Sequence, residues 1–166
     1  MAEKTKIVMI DDEPDLCLIV RSVLEDTGEF TVATTSNPLD AENVIAAENP
    51  ELILLDVVMP GRNGQDIVAS LKRNDATKRI PIIMVSGKGE MVFDKKKKEF
   101  KWMPNNPAAR ARGDLPDVKG AEALAQAYGV TDYVSKPFTT DLLVNVIKEV
   151  LAKTGKQSTS SDESMI

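Results

Sequence analysis

No histidine occurs anywhere in the chain. That absence excludes a histidine-based catalytic triad, a histidine metal site and a phosphohistidine carried by this protein itself. Cys17 is the single cysteine, so no intrachain disulfide can form. Within the first helical pattern it reads as a small apolar residue. No apolar run approaches the ~18 residues of a membrane-crossing helix. The N-terminal apolar stretch is cut off at once by Asp11-Asp12, which is not the anatomy of a signal peptide. A cytoplasmic protein without a membrane segment is the expectation. Positive charge is also in deficit, with 21 Lys and Arg against 26 Asp and Glu for a net −5. The chain as a whole therefore lacks the electrostatic footprint of a nucleic-acid binder. No internal repeat is visible.

The basic charge that exists is concentrated. Lys88 to Asp114 holds eight basic residues (Lys88, Lys95, Lys96, Lys97, Lys98, Lys101, Arg110, Arg112) against four acids, hence +4, and the remainder carries −9. The only tryptophan, Trp102, lies in the same segment.

Around that segment the pattern is regular. With 166 residues, 42% of them hydrophobic, the chain can build one ordinary core. "KIVMI", "FTVAT", "ELILLD", "IPIIMVS" and "TDYVS" read as five strands, several of them apolar throughout and so buried on both faces. Helical patterns alternate with them. "PDLCLIVRSVLEDTG" has Leu16, Ile19, Val20, Val23 and Leu24 at helical spacing, Pro14 in the first turn and Gly28 at the stop. "NPLDAENVIAAENP" has Asn37 as cap, Pro38 at the first position and Pro50 beyond the end. "NGQDIVASLKRN", "VKGAEALAQAYG" and "TTDLLVNVIKEVLAK" supply the other three helices. The domain spans 1–153, and the polar, aperiodic residues 154–166 read as a disordered tail.

Strict strand–helix alternation implies an α/β fold, a parallel sheet with helices on both faces. The common five-stranded solution is the flavodoxin-like, doubly wound order 2-1-3-4-5, in which sites lie beyond the carboxyl ends of the strands. At those ends stand Asp11-Asp12, Asp56, Ser86 and Lys136 before Pro137. Alone, each has a bland reading: a helix cap, a strand terminus, a turn, a solvated lysine. Brought to one place, three carboxylates would repel and raise one another's pKa. A hard cation resolves the conflict, and an all-oxygen donor set suits Mg²⁺ or Mn²⁺. A lysine and a hydroxyl beside them make a site for a phosphoryl group, with a carboxylate as acceptor of an acyl phosphate.

"IVMIDDEPD", "ELILLDVVMPGRNG", "PIIMVSG" and "DYVSKPF" together resemble the receiver domain of two-component response regulators. The resemblance implies that Asp56 is the phosphoacceptor and that Asp11, Asp12 and Asp56 hold Mg²⁺ with the backbone carbonyl of Val58. It implies that Ser86 contacts the phosphoryl group and swings inward, that Lys136 pairs with its oxygens through a cis bond to Pro137, and that Tyr133 is the aromatic switch. It implies a phosphorelay signalling domain rather than a turnover enzyme. The partners implied are a sensor histidine kinase or phosphotransfer protein and a downstream protein target, with homodimerisation through helix 4, strand 5 and helix 5. Since the sequence runs out after Lys153, a stand-alone receiver acting by protein contact is expected. Two neighbouring classes fit less well. Haloacid dehalogenase-type phosphatases need an aspartate where Val58 stands, and flavin binders need a small-residue phosphate loop where "DDEPD" stands.

An ordinary receiver needs one loop and one helix between Ser86 and Thr131, so residues 88–116 are surplus and read as an insertion. Three roles compete for it: a solvated loop, a lid in which Phe93, Phe100, Trp102 and Met103 cover the site, or a docking element for an acidic partner or nucleic acid. The alternative function for the whole chain is a phosphorylation-independent interaction module that binds through this insertion.

Overall fold

The computed structural model describes residues 3–57, 59–86, 89–94, 99–104, 129–136 and 138–163. Its strands are β1 (Thr5–Ile10), β2 (Phe30–Thr35), β3 (Leu52–Asp56), β4 (Ile82–Ser86), β5 (Gly89–Asp94), β6 (Glu99–Pro104) and β7 (Asp132–Ser135). Its helices are α1 (Pro14–Asp26), α2 (Ala41–Glu48), α3 (Gly64–Arg73) and α4 (Thr140–Glu163). Five strands form one parallel sheet in the order β2-β1-β3-β4-β7, which is 2-1-3-4-5 when the strands of this sheet alone are counted.

Alternation along β1 divides the interior in two. Ile7 and Met9 pack with Cys17, Val20 and Leu24 of α1 and with Leu143, Ile147 and Val150 of α4. Val8 and Ile10 face the other way, onto Ala41 and Ile45 of α2 and Ile67, Val68 and Leu71 of α3. Helices thus cover both faces, which is why residues 7–10 of β1, 52–55 of β3 and 82–85 of β4 are apolar at consecutive positions. Of the apolar residues in α1, Leu18 and Ile19 stay outside, 62% and 56% exposed.

Local chemistry sets the ends. Pro14 opens α1, and Gly28, with φ of 79°, turns the chain after it. Asn37 caps a 3-10 turn, Pro38–Asp40, with its side chain accepting from the Leu39 N–H, so α2 itself begins only at Ala41. Asn63 caps α3 by accepting from the Asp66 N–H at 2.9 Å.

Two regions depart from the sequence expectation. Part of segment 88–116 is an antiparallel pair, β5 with β6, in register from Gly89 opposite Pro104 to Asp94 opposite Glu99. Val92, Phe93, Phe100 and Trp102 have strand propensity, and the four lysines between the strands masked it. At the carboxyl end, α4 continues past Lys153 to Glu163. The Thr154 hydroxyl donates to the Leu151 carbonyl at 3.0 Å, continuing the helical turn. The helix expected over 118–129 falls, apart from Gly129, outside the described residues, as do residues 105–117.

Candidate functional site

β1 and β3 are adjacent and in register, with Ile10 opposite Leu55. Asp11 follows directly on β1, and Asp56 ends β3. Their carboxylates therefore emerge side by side at the carboxyl edge, where the strand order reverses. Asp12 joins them, so that Asp11, Asp12 and Asp56 each bring a carboxylate oxygen to within 4.8 Å of the others. Lys136 follows directly on β7, two strands over, and its ammonium enters the same cleft.

The cleft is dry. Asp11 is 0% and Asp56 4% exposed. The Lys136 ammonium lies 2.7 Å from Asp11 Oδ2 and 3.8 Å from Asp56 Oδ2. Asp11 Oδ1 accepts the Glu13 N–H at 2.9 Å. Asp11 is thus held from both sides. Asp56 Oδ2 is buried and accepts no hydrogen bond among the described residues. Burial, then the Asp11 charge, push the Asp56 carboxyl up to about 8 against the pull of Lys136, and hydrogen bonding with Asp12 adds to the rise. Burial likewise raises the Cys17 thiol, to about 11, so beside the Asp11 carbonyl it remains an inert packing group.

The donor set suits a hard divalent cation. All three groups are carboxylates at short mutual range, one buried oxygen has no hydrogen bond, and one lysine does not neutralise three acids. Val58, whose carbonyl the resemblance adds to this set, lies outside the described residues, as does Pro137. Ser86 ends β4 opposite Ser135, at the same edge as Asp56; its side chain is outside the description. Tyr133 lies in β7 opposite Met84 and is 7% exposed, so its ring belongs to the core rather than the surface.

One residue of the site carried no signal beyond its place after a capping asparagine. Gly64, the first residue of α3, sits against the β3 end: a Cβ there would fall well inside contact distance of the Asp56 carbonyl oxygen and 3.1 Å from Val57 Cα. The Gly64 N–H donates to the Val57 carbonyl at 2.7 Å. Only glycine lets the helix begin that close to the backbone of Asp56.

This sheet order, with acids after its central strands and a lysine two strands away, defines a doubly wound domain with an acidic cleft at the carboxyl edge of its sheet. Residues 7–100 match the family "Response regulator receiver domain", and the chain belongs to that family, whose members are signalling domains of two-component response regulators. Among curated relatives, the phosphate regulon transcriptional regulatory protein PhoB of Pseudomonas aeruginosa is 34% identical over 93% of this chain and 55% of its own length. The response regulator Rre1 of Synechocystis is 24% identical over 99% of this chain and 59% of its own. The chain thus spans little more than half the length of these relatives. Among solved structures, the signal receiver domain of a Luxo repressor protein from Vibrio parahaemolyticus superposes with a TM-score of 0.68 at 18% identity, covering 95% of this chain and 98% of that one. The chemotaxis response regulator CheY4 of Vibrio cholerae gives 0.63 at 21%, covering 90% and 100%. At those identities the likeness is one of fold.

Proposed function

We propose that Asp56 accepts a phosphoryl group from the phosphohistidine of a sensor kinase or phosphotransfer protein, and that the modified domain changes its protein contacts. The observation carrying this reading is the buried, hydrogen-bond-free Asp56 Oδ2 between two further aspartates and Lys136. Because the chain has no histidine, the donor is another molecule.

In the proposed transfer, Asp56 Oδ2 attacks phosphorus, the P–N bond to the donor imidazole breaks, and the imidazole leaves as its neutral or protonated form. An acyl phosphate on Asp56 results. Asp11, Asp12 and Asp56, with the carbonyl of Val58, would hold Mg²⁺, or Mn²⁺ in its place. Bound there, the ion supplies neutralisation of the phosphoryl oxygens. Lys136, 3.8 Å from Asp56 Oδ2, needs little movement to pair with a phosphoryl oxygen. Ser86, at the same edge, supplies a hydroxyl donor, and its inward movement with that of Tyr133 transmits the change toward the helix expected over 118–129, β7 and α4. That face is the proposed surface for homodimerisation or a downstream protein.

A groove of about 410 Å³ between α1 and α4 runs up to Lys136, lined by Leu16, Ile19, Val23, Phe138 and Leu143. Its continuity with the cleft suits it to seat the donor protein. Segment 88–116 is taken as an insertion that modulates access or docking, and 1–153 as the receiver proper. Among the described residues no helix is long and apolar enough to cross a membrane.

The test is intact mass after incubation with Mg²⁺ and a small acyl-phosphate donor. One phosphate on the wild type, absent from Asp56→Asn and abolished by chelator, is the expected result. No adduct on a folded wild type overturns the reading.

A further inference from the structure

The loop that follows Asp56 is tied down by a residue outside the cleft. Residues 57–63 connect β3 to α3. Val57 and Met59 are buried, and Gly61 turns the chain with φ of 84°. The loop is closed at its far end by the Gly64 N–H on the Val57 carbonyl. Between these anchors Arg62 reaches away from the cleft to α2. Its Nη1 donates to Glu42 Oε2 at 2.7 Å, and Nη2 stands 2.7 Å from Oε1. Nη1 also reaches the Pro38 carbonyl at 3.5 Å. The Arg62 hydrogen bond holds the Glu42 carboxyl below its ordinary range.

One guanidinium nitrogen is hydrogen-bonded to the carboxylate and a second lies in ion-pair contact with its other oxygen, so two points of contact hold the loop to the helix. Glu42 lies in the first turn of a helix pinned in the core by Ala41 and Ile45, at 0% and 1% exposure. One end of the pair is therefore rigid, and the other is on the loop. The Glu42 side chain is 37% exposed, and pairs of that kind contribute at most about 1 kcal/mol to global stability. The consequence of the geometry is local: it sets the path of the backbone just after Asp56.

We propose that Arg62 is a positioning residue for the Asp56 site, clamping the 57–63 loop to α2 through Glu42 so that the backbone beside the acceptor is set before any ligand arrives. The proposal rests on the reading of Asp56 as a metal-assisted acceptor. It differs from a stabilising role by what it leaves unchanged.

The experiment uses the full chain and the variants Arg62→Met, Glu42→Gln, their double, and Arg62→Lys. Three quantities are read: hydrogen exchange of the Gly64 amide in chelator, Mg²⁺ affinity by calorimetry, and the urea midpoint. Arg62→Met is expected to speed Gly64 exchange about fivefold or more through local opening and to weaken Mg²⁺ binding by a similar factor, with the midpoint nearly unmoved. Glu42→Gln should match it, the double should add little to either, and Arg62→Lys, which keeps the charge but cannot make the two contacts at once, should recover only part. Exchange and affinity within about twofold of wild type in both single variants would overturn the proposal. If Arg62→Met does not fold, Glu42→Gln carries the same comparison. If the wild type takes no phosphate, the acceptor reading fails, while Gly64 exchange in the metal-free protein still decides the clamp.

Discussion

Replacing Asp56 by asparagine should stabilise the metal-free protein, and the gain should grow with pH. The group is buried beside Asp11, and its carboxyl is raised from 3.8 to about 8 in the folded chain. In the unfolded chain it titrates near its ordinary value, about 3.9. Between those two values the folded state holds a proton that the unfolded state has released. Stability is therefore fully present below about pH 4 and declines as pH rises toward 8, by about 1.4 kcal/mol per unit for one group. At pH 7 the accumulated cost is about 4 kcal/mol as an upper value, since Asp11 and Lys136 readjust as Asp56 ionises. Asparagine keeps the shape and never ionises. Urea unfolding in chelator at pH 5, 6, 7 and 8 is the assay. The two proteins should differ by at most about 1.5 kcal/mol at pH 5 and by about 2 to 4 kcal/mol at pH 7 to 8, the asparagine variant above. Saturating Mg²⁺ should then lift the wild type selectively. Parallel pH profiles, or a variant less stable than wild type at every pH, would refute the account of a strained acidic cleft.

Three other outcomes follow from the same geometry. Lys136→Met leaves Asp11 buried without its 2.7 Å cation; a loss of about 3 kcal/mol in chelator is expected, largely recovered by Mg²⁺, and a loss indifferent to Mg²⁺ counts against it. Gly64→Ala forces apart the start of α3 and the Asp56 backbone; it should lose about 2 kcal/mol or more and weaken Mg²⁺ binding, whereas a change under about 0.5 kcal/mol would show that the contact relaxes freely. Ile19→Glu charges the rim of the groove beside Lys136 at a residue already 56% exposed; stability and labelling by a small acyl phosphate should hold while transfer from a phosphotransfer protein slows at least tenfold, and equal transfer would remove the groove from the docking surface.

What the sequence made legible was whatever depends on burial. "KIVMI" and "LILLD" are apolar at consecutive positions because both faces of the sheet are covered, so strand identity could be read directly. Once strand order followed, Asp11, Asp12, Asp56 and Lys136 were gathered by topology alone, although Lys136 lies 125 residues from Asp11. Other features left no periodic trace. Arg62 and Glu42 are 20 residues apart, and each in isolation looks like any surface charge. Gly64 differs from a tolerated helix glycine only in what lies opposite, which is a tertiary fact. The strand signal in β5 and β6 is present in Val92, Phe93, Phe100 and Trp102, but the lysine run between them breaks the pattern, and none of the three roles open to the segment requires a strand pair.

The carboxyl end makes the limit explicit. In α4, Leu143, Ile147 and Val150 recur at helical spacing because they pack on β1, β3 and α1. Beyond Thr154 the sequence offers no such recurrence, yet the helix runs to Glu163. Apolar periodicity records where a helix is packed, not where it is helical. A turn propagated from a packed helix costs no new nucleation and needs no apolar face. The end of a packing pattern is therefore a lower bound on the end of a helix, and Lys153 marks where α4 stops being needed by the core.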